Sequence, residues 1–402
     1  MTSTEFDLRR PLPLHRLTFH AEDGPEGEVT IGRADTGEFG VFPADGAALL
    51  SRLAEGGPLG DAVSWYEREY GETVDIGEFL EVLDEFGMIV HDGQAVTEPV
   101  TVRWRRLGAA VFSPPAWLLY AAVIATGIFV MATVPGMAPH YSAVFFVPSL
   151  VAIQLFALFG QIPLILVHET FHALAGRRLG IPSSLRVGRR LIFVVFETSL
   201  DGLVAVPRRQ RYLPMLAGML ADAVFVAALT LVAAALRDPA TGALGLFARA
   251  CLALAFYTLM RLVWQFYFFL RTDLYYLVCT ALGCVDLHTV ALAMLRARIA
   301  RVLPVAAPAV DESGWHPRDR RVARWYSWLV LAGYAFVLGS VVLAVVPTAI
   351  YTVGILVTRV ADGASPAGVL DGALFLVLTL GQFALAGFLA RRERSARSAR
   401  SA

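Results

Sequence analysis

The sequence predicts a polytopic α-helical membrane protein of about six transmembrane helices, preceded by a small cytoplasmic α+β, winged-helix-like domain. Three observations carry this. Of 402 residues 56% are hydrophobic and the mean hydropathy is +0.59, above what an ordinary soluble domain needs. From Pro114 onward apolar runs long enough to cross a bilayer recur at 114–134, 147–175, 212–236, 246–270, 326–347 and 367–390. Finally, the neutral net charge hides a segregation. Glu22 to Glu98 holds nineteen Asp and Glu against three Arg (Arg33, Arg52, Arg68), so an acidic segment precedes a basic remainder.

Every positive side chain is Arg, and the chain has neither Lys nor Asn. That bias implies a G+C-rich, bacterial coding sequence and excludes an N-glycosylation sequon. Cys251, Cys279 and Cys284 lie in apolar surroundings and form no disulfide framework. The start, MTSTEFDLRRPLPLHR, lacks the apolar core of a signal peptide, so residues 1 to about 105 are expected in the cytoplasm.

Within the acidic segment, EVTIGRADTGEFGVFP (Glu28 to Pro43) reads as a hairpin around a DTG turn. Helical patterns follow at Asp45–Leu53, Leu59–Tyr70 and Asp75–Phe86, the last two closed by Gly71 and Gly87. MIVHDG then reads as a strand and turn. Negative surface charge argues against nucleic acid as a partner.

Arg103, Arg105 and Arg106 precede the first apolar run. Eight Arg lie between Arg177 and Arg211, seven between Arg296 and Arg324, and five between Arg391 and Arg400, whereas the alternate loops hold only Arg237 and Arg359. The positive-inside rule then places both termini in the cytoplasm of a bacterial cell. The tail RRERSARSARSA reads as solvated and basic, able to touch anionic lipid.

An ionisable side chain inside a bilayer costs a few kcal/mol unless it is used or paired, yet residues 167–176 read VHETFHALAG. On a helix His168 and His172, four apart, project from one face and can share a zinc ion, with Glu169 beside them as a general base. Catalytic zinc sites usually add a third protein ligand. Four aspartates offer themselves: Asp201, Asp222, Asp273 and Asp371. The histidines lie five residues before Arg177, near the cytoplasmic end of the second run. Asp273, in FFLRTDLYYL, is expected at the same depth at the end of the fourth; Asp371 begins the sixth on the far side; Asp201 sits in a loop. Depth therefore favours Asp273, with Asp222 as reserve ligand or second-sphere hydrogen-bond partner. Arg261, mid-run, is expected to pair with Asp222. C-x₄-C-x-D-x-H, from Cys279 through Cys284 and Asp286 to His288, matches no zinc pattern and reads as structural.

Two resemblances follow from these residues. HETFH in a membrane helix, AGMLAD after a loop, and a later Asp resemble the site-2 protease family of intramembrane zinc metalloproteases over about residues 145–285. The resemblance implies Zn²⁺ held by His168, His172 and Asp273, with Glu169 as catalytic base. The family's leucine-aspartate-glycine motif is matched literally only by Asp201 and Asp371, while TDLYY resembles the variant in members fused to PqqD-like domains. The family's small-x-x-x-Asn helix appears as Gly218 to Asp222. AALLSRLAEGG, EREYGETVD and FLEVLDEFGMI resemble the PqqD-like leader-peptide recognition fold. RRLIFVVFETSLDGLVAV, Arg189 to Val206, is expected to form a hairpin about Ser-Leu-Asp-Gly, which in the family lays out substrate as an added strand.

Together these imply a domain order of 1–100 peptide recognition, 101–290 protease core, and 291–402 an amphipathic linker with two further spans and tail. The implied function is capture of a peptide or precursor peptide and its hydrolysis at the membrane, as in modified-peptide biosynthesis, the daptide type among its forms. Two other readings stand beside it: a non-catalytic export, immunity or assembly factor, and regulated cleavage of a membrane-anchored regulator.

Overall fold

The structure, a computed structural model, describes residues 7–21, 27–33, 36, 38–91, 102–190, 193–302, 312, 315–340, 342–343, 350, 353–354, 357–358 and 365–400. Of the expected features, the DTG turn apart from Thr36 and most of the loop 348–366 fall outside these. The chain divides into two compact units: Met1–Ser113 with His172–Leu185 and Thr198–Pro214, and Pro114–Phe171 with Arg186–Glu197 and Met215–Ala402.

In the first unit, β1 (Thr18–Ala21), β2 (Val29–Arg33) and β3 (Glu38–Phe42) form an antiparallel sheet in sequence order, with Ile31 opposite Phe19 on one side and Gly40 on the other. The β2–β3 hairpin is the expected one, and β1 is an addition to it. Three helices follow: α1 (Ala44–Ala54), α2 (Leu59–Tyr70) and α3 (Ile76–Glu85). Pro43 precedes α1, Gly71 closes α2 in the left-handed region at φ 71°, and the Asp75 carboxylate caps α3 by accepting from the Glu78 N–H at 3.1 Å. Ile31, Leu49, Leu50, Leu53, Leu83 and Met88 make the core.

MIV forms no strand. His15 N–H donates to the Met88 carbonyl and Val90 N–H to that of Pro13, at 2.9 and 2.7 Å, giving one bridge, Leu14 to Ile89. Proline has no N–H, so Pro13 cannot extend the ladder.

The first unit also contains α4 (Arg105–Val111), the end of α6 (Leu150–Arg178) from His172 onward, a 3₁₀ turn Asp201–Ala205, and the start of α7 (Arg208–Ala235). The turn packs on the three-stranded sheet. Leu200, just before it, lies against Gly176 of α6, where a Cβ would come within 2.6 Å of the leucine. A Cβ at 176 would therefore push the Leu200 side chain aside.

The second unit holds α5 (Pro114–Thr133), most of α6 and α7, α8 (Leu246–Trp264), α9 (Asp273–Leu282), α10 (Leu287–Val302), α11 (Pro317–Ser340) and α12 (Pro366–Arg400). Among the described residues, six helices are long and apolar enough to cross a membrane: Pro114–Thr133, Leu150–Arg178, Arg208–Ala235, Leu246–Trp264, Pro317–Ser340 and Pro366–Leu389. Their order follows the six apolar runs, but α8 ends at Trp264, short of the fourth run, and α11 begins at Pro317, ahead of the fifth. α5 meets α7 where a Cβ on Gly127 would lie 2.6 Å from the Ala227 Cβ, so only glycine permits this approach. α9 and α10 form a bent pair at 93°, turning where the buried Asp319 carboxylate accepts from the Val285 and Asp286 N–H groups.

The expected hairpin exists with a different register. β4 (Ser184–Arg190) pairs with β5 (Phe193–Ser199), so Ser-Leu-Asp-Gly does not turn the hairpin. Ser199 ends β5, and with the Leu203 N–H donating to the Leu200 carbonyl at 2.8 Å, Asp201 and Gly202 open the 3₁₀ turn instead.

In the first unit, the buried Tyr66 hydroxyl donates to the Asp45 carboxylate at 2.6 Å. That bond lowers the Asp45 pKa and, with burial, pushes Tyr66 up to about 12. Asp45 contributes above its ordinary pKa and loses its contribution as pH falls through its lowered value. Tyr66 contributes below its own ordinary value and loses its contribution as pH rises through about 12. Tyr66→Phe should cost about 1 kcal/mol at neutral pH, discounted for the exposure of Asp45. Hydrogen exchange of α1 in the full chain checks this: the difference from wild type should shrink below about pH 4, and a pH-independent difference would refute the assignment.

Candidate metal site

α6 supplies the motif. His168, Glu169 and His172 are all buried, at 4%, 8% and 6% exposure, which is the unusual feature of an otherwise apolar helix. His172 Nδ1 lies 2.6 Å from the Pro214 carbonyl of α7, and a carbonyl only accepts. The imidazole therefore carries its proton on Nδ1 and presents the Nε2 lone pair.

His168 Nδ1 lies 3.0 Å from Asp222 Oδ2 in an ion-pair contact. Its Nε2 faces the opposite way, 3.3 Å from Asp273 Oδ2 and 4.0 Å from Glu169 Oε1. Both histidines thus turn Nδ1 toward an oxygen and leave Nε2 available.

Asp222 is fully buried. The Arg261 guanidinium reaches both of its oxygens, Nε to Oδ2 at 3.0 Å and Nη2 to Oδ1, and gives Nη1 to Gln161 Oε1 at 2.9 Å. The expected Arg261–Asp222 pair is therefore present, with Gln161 as an unexpected third member.

Asp273 does not sit at the end of the fourth apolar run, as expected. α8 stops at Trp264, a 3₁₀ turn spans Phe268–Leu270, Arg271 adopts φ 57°, and Asp273 opens the separate helix α9. Gln265 enforces the break: its carbonyl accepts from the Thr272 hydroxyl at 2.7 Å and its side-chain Oε1 from the Asp273 N–H at 3.1 Å. Gln161 and Gln265 escaped the sequence reading, although polar side chains within apolar runs were the signal that found His168.

Among the described residues, His168, His172 and Asp273 are the group that could hold a metal ion, their ligand atoms all within 4.8 Å of one another. The donors fit zinc. Bonds of about 2.0–2.2 Å place two corners of a tetrahedron roughly 3.3 Å apart, the separation between His168 Nε2 and Asp273 Oδ2. Glu169 stands beside the group as a carboxylate able to accept a proton.

The remaining candidates fall elsewhere. Asp201 opens the 3₁₀ turn. Asp371, on α12, caps α6: it accepts from the Ser149 hydroxyl and from the Leu150 and Val151 N–H groups at 2.8 and 3.3 Å. Cys279, Cys284, Asp286 and His288 form no such group among the described residues; Cys279 is buried in an apolar core with Tyr275 and Tyr326.

A second feature lies in the first unit. A groove of about 310 Å³ runs between β3 and α3, lined by Val41, Phe42, Tyr66, Phe79, Val82 and Phe86 among others. β3 is the last strand of its sheet.

No family model, curated protein or solved structure matches this chain.

Asp371→Ala should cost about 1 kcal/mol, the usual worth of a helix N-cap, and lower the thermal midpoint of the full chain. An unchanged midpoint would show that the cap is dispensable.

Proposed function

We propose that this chain is a zinc metalloprotease embedded in the bacterial cell membrane with both termini cytoplasmic, and that its N-terminal domain captures the peptide it cleaves. The observation that carries this reading is the donor set around His168. Two imidazoles and the carboxylates of Glu169 and Asp273 are gathered in an apolar bundle, where ionisable side chains are costly unless used or paired, and that donor chemistry suits a divalent cation. His168, His172 and Asp273 would hold the ion.

Zinc held there would supply Lewis acidity near neutral pH. Glu169 takes a proton from the water that adds to the peptide carbonyl carbon and gives it to the amine nitrogen as the C–N bond breaks, which is hydrolysis by general acid–base chemistry. The Pro214 carbonyl and Asp222 hold the two imidazoles with Nε2 inward. A structural zinc site has no use for the extra carboxylate, which favours the enzyme over a non-catalytic assembly factor.

The groove beside β3 supports peptide capture. An extended segment can add to the open edge of β3 while its side chains enter the apolar lining. The surrounding acidic helices favour a basic leader. A precursor peptide with its recognition segment separate from its scissile bond is thus the substrate class that suits the chain, and a membrane-anchored regulator suits it less.

Purified full-length protein should carry about one zinc per chain, lost in His168→Ala and Asp273→Ala. Glu169→Gln should keep its zinc while hydrolysis of a quenched-peptide pool in liposomes falls roughly 10²–10⁴-fold. Wild type without zinc under metal-replete conditions, or an active Glu169→Gln, would overturn the proposal.

A further inference from the structure

We propose that Gln161 and Arg261 are positioning residues that fix His168 across the turn of α6 in which Pro163 removes a backbone hydrogen bond. The inference rests on the metal reading above and adds two residues that touch neither ligand atoms nor peptide.

Pro163 lies inside α6, two residues after Gln161 and five before His168. Having no N–H, it leaves the Phe159 carbonyl without its helical donor, and its ring crowds that carbonyl; such sites bend and loosen a helix. The turn that should hold His168 rigidly to the first half of α6 is therefore the weakest turn of the helix. A metal site tolerates little of this, because a ligand must be held to within about 0.5 Å.

The polar contacts span the weak turn. Gln161 and His168 are seven residues apart, about two turns, and so lie on one face. From Gln161 Oε1 the path runs 2.9 Å to Arg261 Nη1 on α8, through the guanidinium to Asp222 on α7, and 3.0 Å from Asp222 Oδ2 back to His168 Nδ1. It leaves α6 before the proline and returns to it after the proline, through two other helices. A guanidinium suits the central position, since its planar fork can engage a carboxylate with two N–H groups and still direct a third elsewhere; an ammonium cannot match that geometry.

Gln161 adds an independent sign. Its Nε2 is buried with no hydrogen-bond partner among the described residues. An unsatisfied buried amide costs roughly 1–3 kcal/mol, which leucine at this position would avoid. The residue is retained for its oxygen, and that oxygen serves Arg261.

Co²⁺ is the probe, bound to full-length protein in detergent, with affinity read by competition and ligand geometry by visible absorption. Gln161→Leu strands no charge and so keeps the fold; Arg261→Lys keeps the charge and loses the fork. Both should bind Co²⁺ some 10–100-fold more weakly, the usual effect of removing an outer-sphere partner, with shifted absorption bands. Pro163→Ala restores the missing helical N–H, and added to Gln161→Leu it should recover most of the affinity and the wild-type bands. A merely structural contact would lower thermal stability and leave the bands alone.

Wild-type affinity and bands in Gln161→Leu would overturn the proposal, as would failure of Pro163→Ala to rescue. Absence of Co²⁺ and Zn²⁺ binding in wild type would instead sink the metalloprotease reading itself, and this inference with it. If Arg261→Lys does not fold, the Gln161→Leu pair decides.

Discussion

An ionised side chain in an apolar helix bundle must be compensated within a few ångströms, because no water is at hand to do it. Asp222 is where this constraint is most severe in the structure: it is wholly buried, and its two oxygens receive Arg261 on one side and the His168 imidazole on the other. Each neighbour depends on it. Without Asp222, Arg261 would be a stranded cation among apolar helices and His168 would lose what turns its Nε2 toward Asp273. Three helices, α6, α7 and α8, are registered against one another by this single carboxylate, and the placement of the HETFH motif follows from that register.

The same economy governs other polar groups of the bundle. Asp371 spends both oxygens on the first turn of α6, where the helix has unsatisfied N–H groups. The buried Asp319 does the same at the bend between α9 and α10. Gln265 holds the first N–H of α9. Asp371 and Asp319 thus spend their oxygens on helix N–H groups, whereas Asp222 and Asp273 face the His168 imidazole. The distinction separates Asp371, a literal match to a leucine-aspartate-glycine motif, from Asp273, which is a poor match by letters and lies by the histidine.

What was legible in the residues, and what was not, follows from the range of the interactions. The six apolar runs could be read because hydrophobicity summed over twenty residues is a property of the run itself. His168, Glu169 and His172 could be read because their spacing is local to one helix. The β2–β3 hairpin and the caps of α2 and α3 were equally local. By contrast, the end of α8 at Trp264 is marked by no glycine or proline; the segment WQFYFFLRTD breaks because the Gln265 side chain reaches eight residues ahead. The single bridge at Ile89 reflects a proline seventy-six positions earlier, Pro13, and Ser-Leu-Asp-Gly does not turn the β4–β5 hairpin because Ser199 ends β5 and Asp201 opens a 3₁₀ turn while Leu200 fills the space over Gly176. Contacts distant in sequence overrode local turn chemistry in each case.

The first unit packs the N-terminal sheet against segments of the chain that follow it. Its sheet packs on the turn Asp201–Ala205, the residue before that turn packs on Gly176, and Gly176 lies one helical turn past His172, whose Nδ1 meets Pro214 within the same unit. A recognition domain on a free tether would share no core with the catalytic chain and would deliver peptide only by raising its local concentration. Here the contacts instead run from β3, the strand that borders the apolar groove, to the helix turn that carries the second histidine. On the proposed function, the strand that would receive the peptide and the second histidine of the motif belong to one compact unit and share its packing.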